Sequence, residues 1–371
     1  MSYYFDEEAA ERCVTFIERF CTHVKGELAG EPFILEEWQK VDIIRPLFGW
    51  KSEATGLRKY RQCFTEIPRK NGKSSLAAGL ALYLLFADEE PGAEIISAAG
   101  DRGQANIVFS IAKEMISNNK HLRARAKVLR NIIEYKGSWY KSISAEAYTK
   151  HGLNCHGIIF DELHTQPNRE LFDVLTTSVG ARRQPVIISL TTAGHDRSSV
   201  CYEMHEYSEA ILNGSIVDET FLPVLYKADA DDDWTSPETW KKANPGYGTI
   251  CNEAYFIDAV NKAKANPSMI NSFLRLHLNI WTSAETAWIP DDIYMKGAKE
   301  IPYDRLPSLP AYAGLDLAST QDLTAFALLF RDDENKCFYL ICHQFVNSVK
   351  AHSKKLAAGI DYVQYARDGD I

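Results

Sequence analysis

Several classes of protein are excluded by what this sequence lacks. No apolar run reaches the roughly 18 residues of a membrane span; the best candidate, Leu76 to Ala87, is shorter and reads as a core helix. The amino terminus, Met1-Ser2-Tyr3-Tyr4-Phe5-Asp6-Glu7-Glu8, is acidic where a secretory signal is basic and then apolar, so the expected location is the cytosol, without membrane contact. The eight cysteines include no C-x-x-C pair, which argues against a zinc module or a disulfide framework and for buried reduced thiols. Positive charge is also short: 41 Lys and Arg against 50 Asp and Glu leave a formal net charge of −9. That is the wrong sign for coating nucleic acid by bulk attraction, so any DNA contact has to come from a local patch. Internal repeats and low-complexity tracts are absent as well.

What remains is an ordinary globular composition, 46% hydrophobic and 25% charged over 371 residues, long enough for two domains. Residues 5 to 50 read as helical, with apolar faces over Ala9 to His23 and Leu35 to Leu47. From residue 60 strands and helices alternate: strands over 60–67, 93–99, 157–160 and 185–191, helices over 73–86, about 101–117 and 168–179, and a hairpin around Lys136-Gly137-Ser138. That rhythm predicts a mainly parallel sheet with helices on both faces. Helices at 203–212, 236–243, 253–265 and 268–279 surround an acidic loop, Asp229 to Asp233, which lacks the turn glycine of a calcium loop and reads as solvated. Pro302, Pro307 and Pro310 mark a linker, followed by strands over Ala311 to Leu317, Thr324 to Phe330 and Cys337 to Phe345.

Two segments carry chemistry. Glu66-Ile67-Pro68-Arg69-Lys70-Asn71-Gly72-Lys73-Ser74-Ser75 runs from a strand into a helix and reads as a phosphate loop, although Ile67 stands where the common pattern has its first glycine. Backbone N–H groups from Lys70 to Ser74 and the start of the helix suit phosphate oxygens, Lys73 suits the β and γ phosphates, and the Ser74 hydroxyl suits magnesium. Arg69 and Lys70 add two cations, read either as phosphate contacts or as a solvated pair. Ile158-Ile159-Phe160-Asp161-Glu162 is an apolar strand ending in two carboxylates, with Asp161 suited to magnesium through water and Glu162 to general-base attack by water. Leu190-Thr191-Thr192-Ala193-Gly194 ends the next strand, where hydroxyls can sense the γ phosphate, and Gln39 offers an amide for an adenine edge. The stretch His121 to Lys127 is the most basic in the chain and suits either DNA phosphates or a solvated helix end.

In this order these segments resemble the large subunit of tailed-phage terminase, together with Pro32 to Gln39, Phe160-Asp161-Glu162-Leu163-His164, Ala243-Asn244-Pro245-Gly246 and Asn279-Ile280-Trp281-Thr282. The glycine-poor phosphate loop is typical of that family. The resemblance implies a P-loop ATPase of the additional-strand class followed by an RNase H-like nuclease domain. ATP would sit on Gln39, Arg69, Lys70, Asn71, Gly72, Lys73, Ser74 and Ser75; Asp161 and Glu162 would form the hydrolytic pair; Thr191, Thr192 and Gly194 would couple hydrolysis to movement. A neighbour's arginine completes each site in the family's ring, with Arg102, Arg182 and Arg183 as candidates. Double-stranded viral DNA, portal protein, procapsid and small terminase subunit are the implied partners, in the host cytoplasm.

The implied division is an adenine-side segment over 1–50, an ATPase core over 51–230, a helical lid and connector over 231–300, a linker over 301–310 and a partial nuclease domain over 311–371. In Tyr312 to Ala325, Asp316 is expected mid-strand as a buried ligand of a Mg2+ or Mn2+ pair, with Asp322 as a second candidate. Asp361, Asp368 and Asp370 read as helix-surface acids. So few residues follow the linker that the nuclease is expected to be incomplete. Two other readings stay open: a helicase-like DNA translocase of the same superclass, and a non-cleaving split-gene or degenerate fragment.

Overall fold

The computed structural model describes residues 2–145, 152–282, 294–317 and 323–347. The chain divides into two compact units, Met1–Trp288 and Ile289–Ile371.

In the first unit strands β1 (Tyr3–Phe5) and β2 (Trp50–Ser52) pair antiparallel and close the ends of a helical segment against each other. Between them lie α1 (Glu7–Phe20), a π-helical turn over Gln39–Ile44 and α2 (Arg45–Gly49). The sequence suggested helices over residues 5 to 50 with a break at Gly30-Glu31-Pro32; Phe5 and Trp50 instead pair as strands, their rings 5.4 Å apart edge to face across a short ladder. Helix α1 starts at an Asp6 cap whose carboxylate accepts the Ala9 N–H at 3.0 Å, with Glu7 and Glu8 in the first turn.

The main sheet follows. Its strands in chain order are β3 (Gln62–Glu66), β4 (Glu94–Ala99), β5 (Lys127–Val128), β6 (Ile133–Tyr135), β7 (Ser138–Ser144), β8 (Gly157–Asp161), β9 (Val186–Thr191) and β10 (Phe221–Leu225). Across the sheet the order is β10-β3-β9-β8-β4-β7-β6-β5, parallel except for the β5-β6-β7 edge. Strand β9 therefore separates the phosphate-loop strand β3 from the carboxylate strand β8, the arrangement that defines the additional-strand class. Strands β8 and β9 read Gly-Ile-Ile-Phe-Asp and Val-Ile-Ile-Ser-Leu-Thr because both faces are covered.

One face packs under α1, α2, α3 (Lys73–Phe86) and α4 (Arg102–Asn118), the other under α6 (Glu170–Thr177) and α7 (Val200–Leu212); the short α5 (Lys120–Arg123) follows α4. Helix α3 is apolar on all sides since β8 and α1 enclose it. Strand β10 was not expected from the sequence. Pro223 lies in it, tolerated because β10 is an edge strand that, among the described residues, pairs with β3 alone.

Helices α8 (Pro237–Ala243), α9 (Glu253–Ala265) and α10 (Ile270–Leu278) form a separate small core around Trp240, Phe256 and Phe273. In the acidic loop before α8, Lys242 bridges two of the four aspartates, its ammonium 2.6 Å from both Asp229 and Asp232.

In the second unit β11 (Ala311–Asp316), β12 (Thr324–Asp332) and β13 (Cys337–Phe345) form an antiparallel meander. No helix among the described residues is long and apolar enough to cross a membrane.

Candidate nucleotide site

The carboxyl ends of β3, β8 and β9 meet at one edge of the sheet, and each delivers a loop. Leaving β3, the chain turns through Lys70 (φ 69°) and Gly72 (φ 80°), both left-handed, before α3 starts. Gly72 suits this backbone, whereas Lys70 adopts it at a cost. Among the described residues none of the backbone N–H groups from Lys70 to Ser75 finds an acceptor. A ring of unspent donors at the amino end of a 14-residue helix is an anion site.

Side chains complete it. Lys73 is buried, and its ammonium is held by the Ile67 and Pro68 carbonyls at 3.0 and 3.1 Å and by the Thr192 hydroxyl at 2.7 Å. Burial pulls its pKa below the ordinary lysine value. The Ser74 hydroxyl donates to Asp161 Oδ2 at 3.1 Å, while Asp161 Oδ1 is buried without a partner. Burial, reinforced by the neighbouring Glu162, raises the Asp161 carboxyl to about 7. A carboxylate oxygen left bare beside a serine hydroxyl, under a phosphate-binding loop, fits a magnesium ion held by oxygen ligands.

Glu162 takes a left-handed backbone (φ 52°) that turns its side chain back over the site. Its Oε1 lies 3.9 Å from Lys73 Nζ, and its Oε2 lies 3.5 Å from the Thr192 hydroxyl and 3.3 Å from His164 Nδ1. His164 is itself fixed by Thr191, whose hydroxyl meets both its backbone N–H and its Nδ1 at 3.1 Å. Burial lowers the imidazole to about 4, so it is neutral at physiological pH. Thr192 therefore touches both the lysine and the carboxylate.

Two further groups of residues support this loop cluster, and sequence reasoning did not give either of them this bracing part. The buried Asn71 amide donates to Asn244 Oδ1 at 2.9 Å and accepts the Gly246 N–H at 3.1 Å. The Arg69 N–H is taken by the Leu276 carbonyl at 2.9 Å, and Cys251 Sγ donates to the Lys70 carbonyl at 3.0 Å. The α8–α10 core thus braces the phosphate loop from outside. Gly246 is required by contact: a Cβ there would stand 2.9 Å from Asn71 Oδ1.

Beneath the β9 loop, fully buried Glu66 meets Asn279 Nδ2 at 3.3 Å, Trp281 Nε1 at 3.1 Å and His205 Nδ1 at 3.2 Å. Asn279 Oδ1 accepts the Ala193 N–H at 2.7 Å, and the Trp281 ring lies where a Cβ on Gly194 would stand, 2.9 Å away. The Asn-Pro-Gly and Asn-Ile-Trp strings were the available signals, visible as motifs but not as supports.

Of the other candidates, Gln39 is buried, and its Nε2 has no partner and lies 3.7 Å from a Cβ built on Gly72. Arg69 and Lys70 are exposed beside the loop. Arg182 is committed to the Asn154, Pro91 and Gly92 carbonyls and to Glu90, while Arg102 and Arg183 are exposed.

Asp316 departs from expectation. It ends β11 rather than projecting from mid-strand, sits opposite Ala325, and is exposed with the rest of its strand. The burial cost that argued for a metal ligand is therefore not incurred. Asp322, Asp361, Asp368 and Asp370 lie outside the described residues. Among the described residues no group of three or more His, Cys, Asp or Glu side chains gathers into a metal cluster.

Comparison with known proteins places an ATPase domain over this part of the chain. The family model "Terminase large subunit, ATPase domain" matches residues 37–210, and "Terminase large subunit, endonuclease domain" matches 215–369. The large terminase subunit of Enterobacteria phage HK97 is 31% identical over 332 residues, 87% of this chain and 63% of that protein. Protein YmfN of Escherichia coli K12 is 31% identical over 190 residues, 51% of this chain and 42% of its own length. The crystal structure of the HK97 large terminase superposes with a TM-score of 0.64 at 27% identity, covering 97% of this chain and 72% of that one. The chain spans less than two-thirds of the length of either sequence relative. Both family modules in register, on an additional-strand sheet with a braced phosphate loop, show that the chain belongs to the terminase large-subunit family.

Proposed function

We propose that this chain is an ATP-hydrolysing motor that translocates double-stranded viral DNA into a procapsid. The observation that carries the reading is the Ser74–Asp161 pair with its bare carboxylate oxygen, set between a ring of free N–H donors and Glu162. Residues 1–50 are assigned to the adenine side, 51–230 to the catalytic core and 231–300 to the lid and connector that brace it, with 301–310 as linker and 311–371 as part of the nuclease domain.

In this reading Gln39 reads the adenine edge with its free amide. The N–H groups from Lys70 to Ser75 cradle the phosphates, with Arg69 and Lys70 adding positive charge at the rim. Lys73 exchanges its carbonyl partners for phosphate oxygens and neutralises charge developing between the β and γ groups. Ser74 and Asp161 hold magnesium, which supplies charge neutralisation to the triphosphate. Glu162 accepts the proton of the attacking water, oriented by Thr192 and by neutral His164. Because Thr192 touches both Lys73 and Glu162, loss of the γ phosphate shifts the β9 loop, and Asn279 and Trp281 transmit that shift.

Portal protein, procapsid and small terminase subunit are the proposed partners, in a homo-oligomeric ring where a neighbour's arginine completes each site. DNA cutting would fall to the nuclease module; among the described residues no metal cluster gathers around Asp316.

Magnesium-dependent ATP hydrolysis by the purified chain tests the motor. Lys73→Ala and Glu162→Gln are each expected to lower kcat at least about 100-fold; wild-type turnover in both sinks the reading. The helicase-like alternative is separated by stimulation with portal and procapsid compared with free DNA.

A further inference from the structure

Scarce positive charge is unevenly placed in this chain. Between residues 102 and 145 nine Lys and Arg face two Glu, against a net charge of −9 for the whole. The fold gathers most of them at the β5 end of the sheet, the end opposite β10. Lys113 stands on the second half of α4, Lys120 and Arg123 on α5, Arg125 directly after it, Lys127 on β5 and Arg130 in the turn to β6. All but the half-buried Lys113 are exposed.

Three of these cations are joined to backbone carbonyls and one to an acid. Lys113 Nζ lies 3.5 Å from the Arg130 carbonyl, and Arg123 and Arg125 donate to the Ser117 and His121 carbonyls at 3.1 Å each. Lys127 pairs with Glu134 at 3.3 Å. Among the described residues no carboxylate comes within 4.0 Å of Lys113, Lys120, Arg123, Arg125 or Arg130. Cations elsewhere, such as Arg169, Lys242 and Lys262, are paired. A shallow cavity of about 470 Å³ opens between α4, α5 and β5, with Lys113 and Arg123 on its walls.

Six cations face only Glu134, on Lys127, and Glu114, on the cavity wall; the excess of like charge repels itself, and a polyanion relieves that repulsion. Helix α4 also ties this edge to the nucleotide site. Its 17 residues span about 25 Å at 1.5 Å per residue. At its root a Cβ on Gly100 would stand 2.4 Å from the Thr165 carbonyl, and the Thr165 N–H and hydroxyl both bond the Glu162 carbonyl, at 2.9 and 2.8 Å.

We propose that this basic edge grips the phosphate backbone of double-stranded DNA. The proposal rests on the motor reading above. Duplex DNA is favoured over an acidic protein because its fixed charge, one per about 1.7 Å of axis, suits cations spread over a helix, a strand and a turn. A protein partner would need a desolvated core within the patch.

The test is binding of a short mixed-sequence duplex to the full chain between about 50 and 200 mM salt. The triple reversal Lys113→Glu, Arg123→Glu and Arg125→Glu is expected to weaken binding at least about tenfold and to lower the slope of log K against log salt by about 3. Its ATPase rate without DNA should equal that of the wild type, and Lys262→Glu on α9 should leave binding unchanged. Unchanged affinity and slope in the triple variant would overturn the proposal, as would an equal loss in the control. Polyglutamate that displaces the duplex as well as unlabelled DNA of equal charge would overturn it in favour of an acidic protein. The motor reading fails separately, on ATPase activity that survives Lys73→Ala.

Discussion

Asp161 is a liability to the folded chain in the absence of metal, and the liability is measurable. Its carboxyl is raised from 3.8 to about 7, chiefly by burial. A native pKa above the unfolded one means the folded state binds the proton more tightly. The group thus costs least below pH 3.8, and stability is lost as pH rises towards 7. At 1.36 kcal/mol per pH unit, the ionised carboxylate costs about 4 kcal/mol at pH 8 but only about 1–2 kcal/mol near pH 5.

Asp161→Asn keeps the shape and an acceptor for the Ser74 hydroxyl while removing the titration. It should stabilise the metal-free protein at pH 8 by about 2–3 kcal/mol more than at pH 5. Urea denaturation in chelator at both pH values, wild type against variant, reads the difference. Magnesium should protect the wild type at pH 8 and leave the variant unaffected. If the variant gains the same stability at both pH values, the carboxyl does not titrate where burial places it, and the metal assignment loses its basis.

Asn71→Ala removes the partner of Asn244 Oδ1 and of the Gly246 N–H, both buried. At about 1–3 kcal/mol for each stranded group it should cost about 2–5 kcal/mol in urea unfolding and raise KM for ATP more than it lowers kcat. A wild-type unfolding midpoint would show that the α8–α10 brace is not under load. Trp281→Phe leaves Glu66 Oε2 without its indole donor, so a loss of about 1–3 kcal/mol is expected, with kcat falling while KM for ATP holds. Equal stability would mean that another group satisfies the carboxylate.

The alternation of apolar strands with helices was enough to reach the parallel sheet, and helix Lys73–Phe86 has the bounds that its Gly-Lys start and its apolar run suggest. What sequence could not supply was contact at long separation. Asn71 looked like one more phosphate-loop residue, yet its side chain is spent on Asn244 and Gly246, more than 170 positions away. Glu66 ends the strand that leads into the phosphate loop, and only the fold shows the asparagine, tryptophan and histidine around it. Strand β10 was hidden by Pro223, whose penalty depends on whether the strand has one neighbour or two. Asp316 was judged by its apolar neighbours, a sound guide inside a covered sheet and a poor one on a strand exposed along its length.

The brace on the phosphate loop also bears on where this protein can be divided. By family match the ATPase module stops at residue 210 and the next module starts at 215, so the two look separable by one cut between them. The long-range partners of Asn71, of the Arg69 N–H and of the Lys70 carbonyl lie beyond that cut, at Asn244, Gly246, Leu276 and Cys251, and only the local Pro68 and Arg69 carbonyls remain to Asn71. A fragment ending there would keep every residue of both nucleotide motifs and lose what holds the first in shape. The unit that folds, and the unit to express in isolation, runs past α10 and takes its last support from a stretch that sequence families assign to its neighbour.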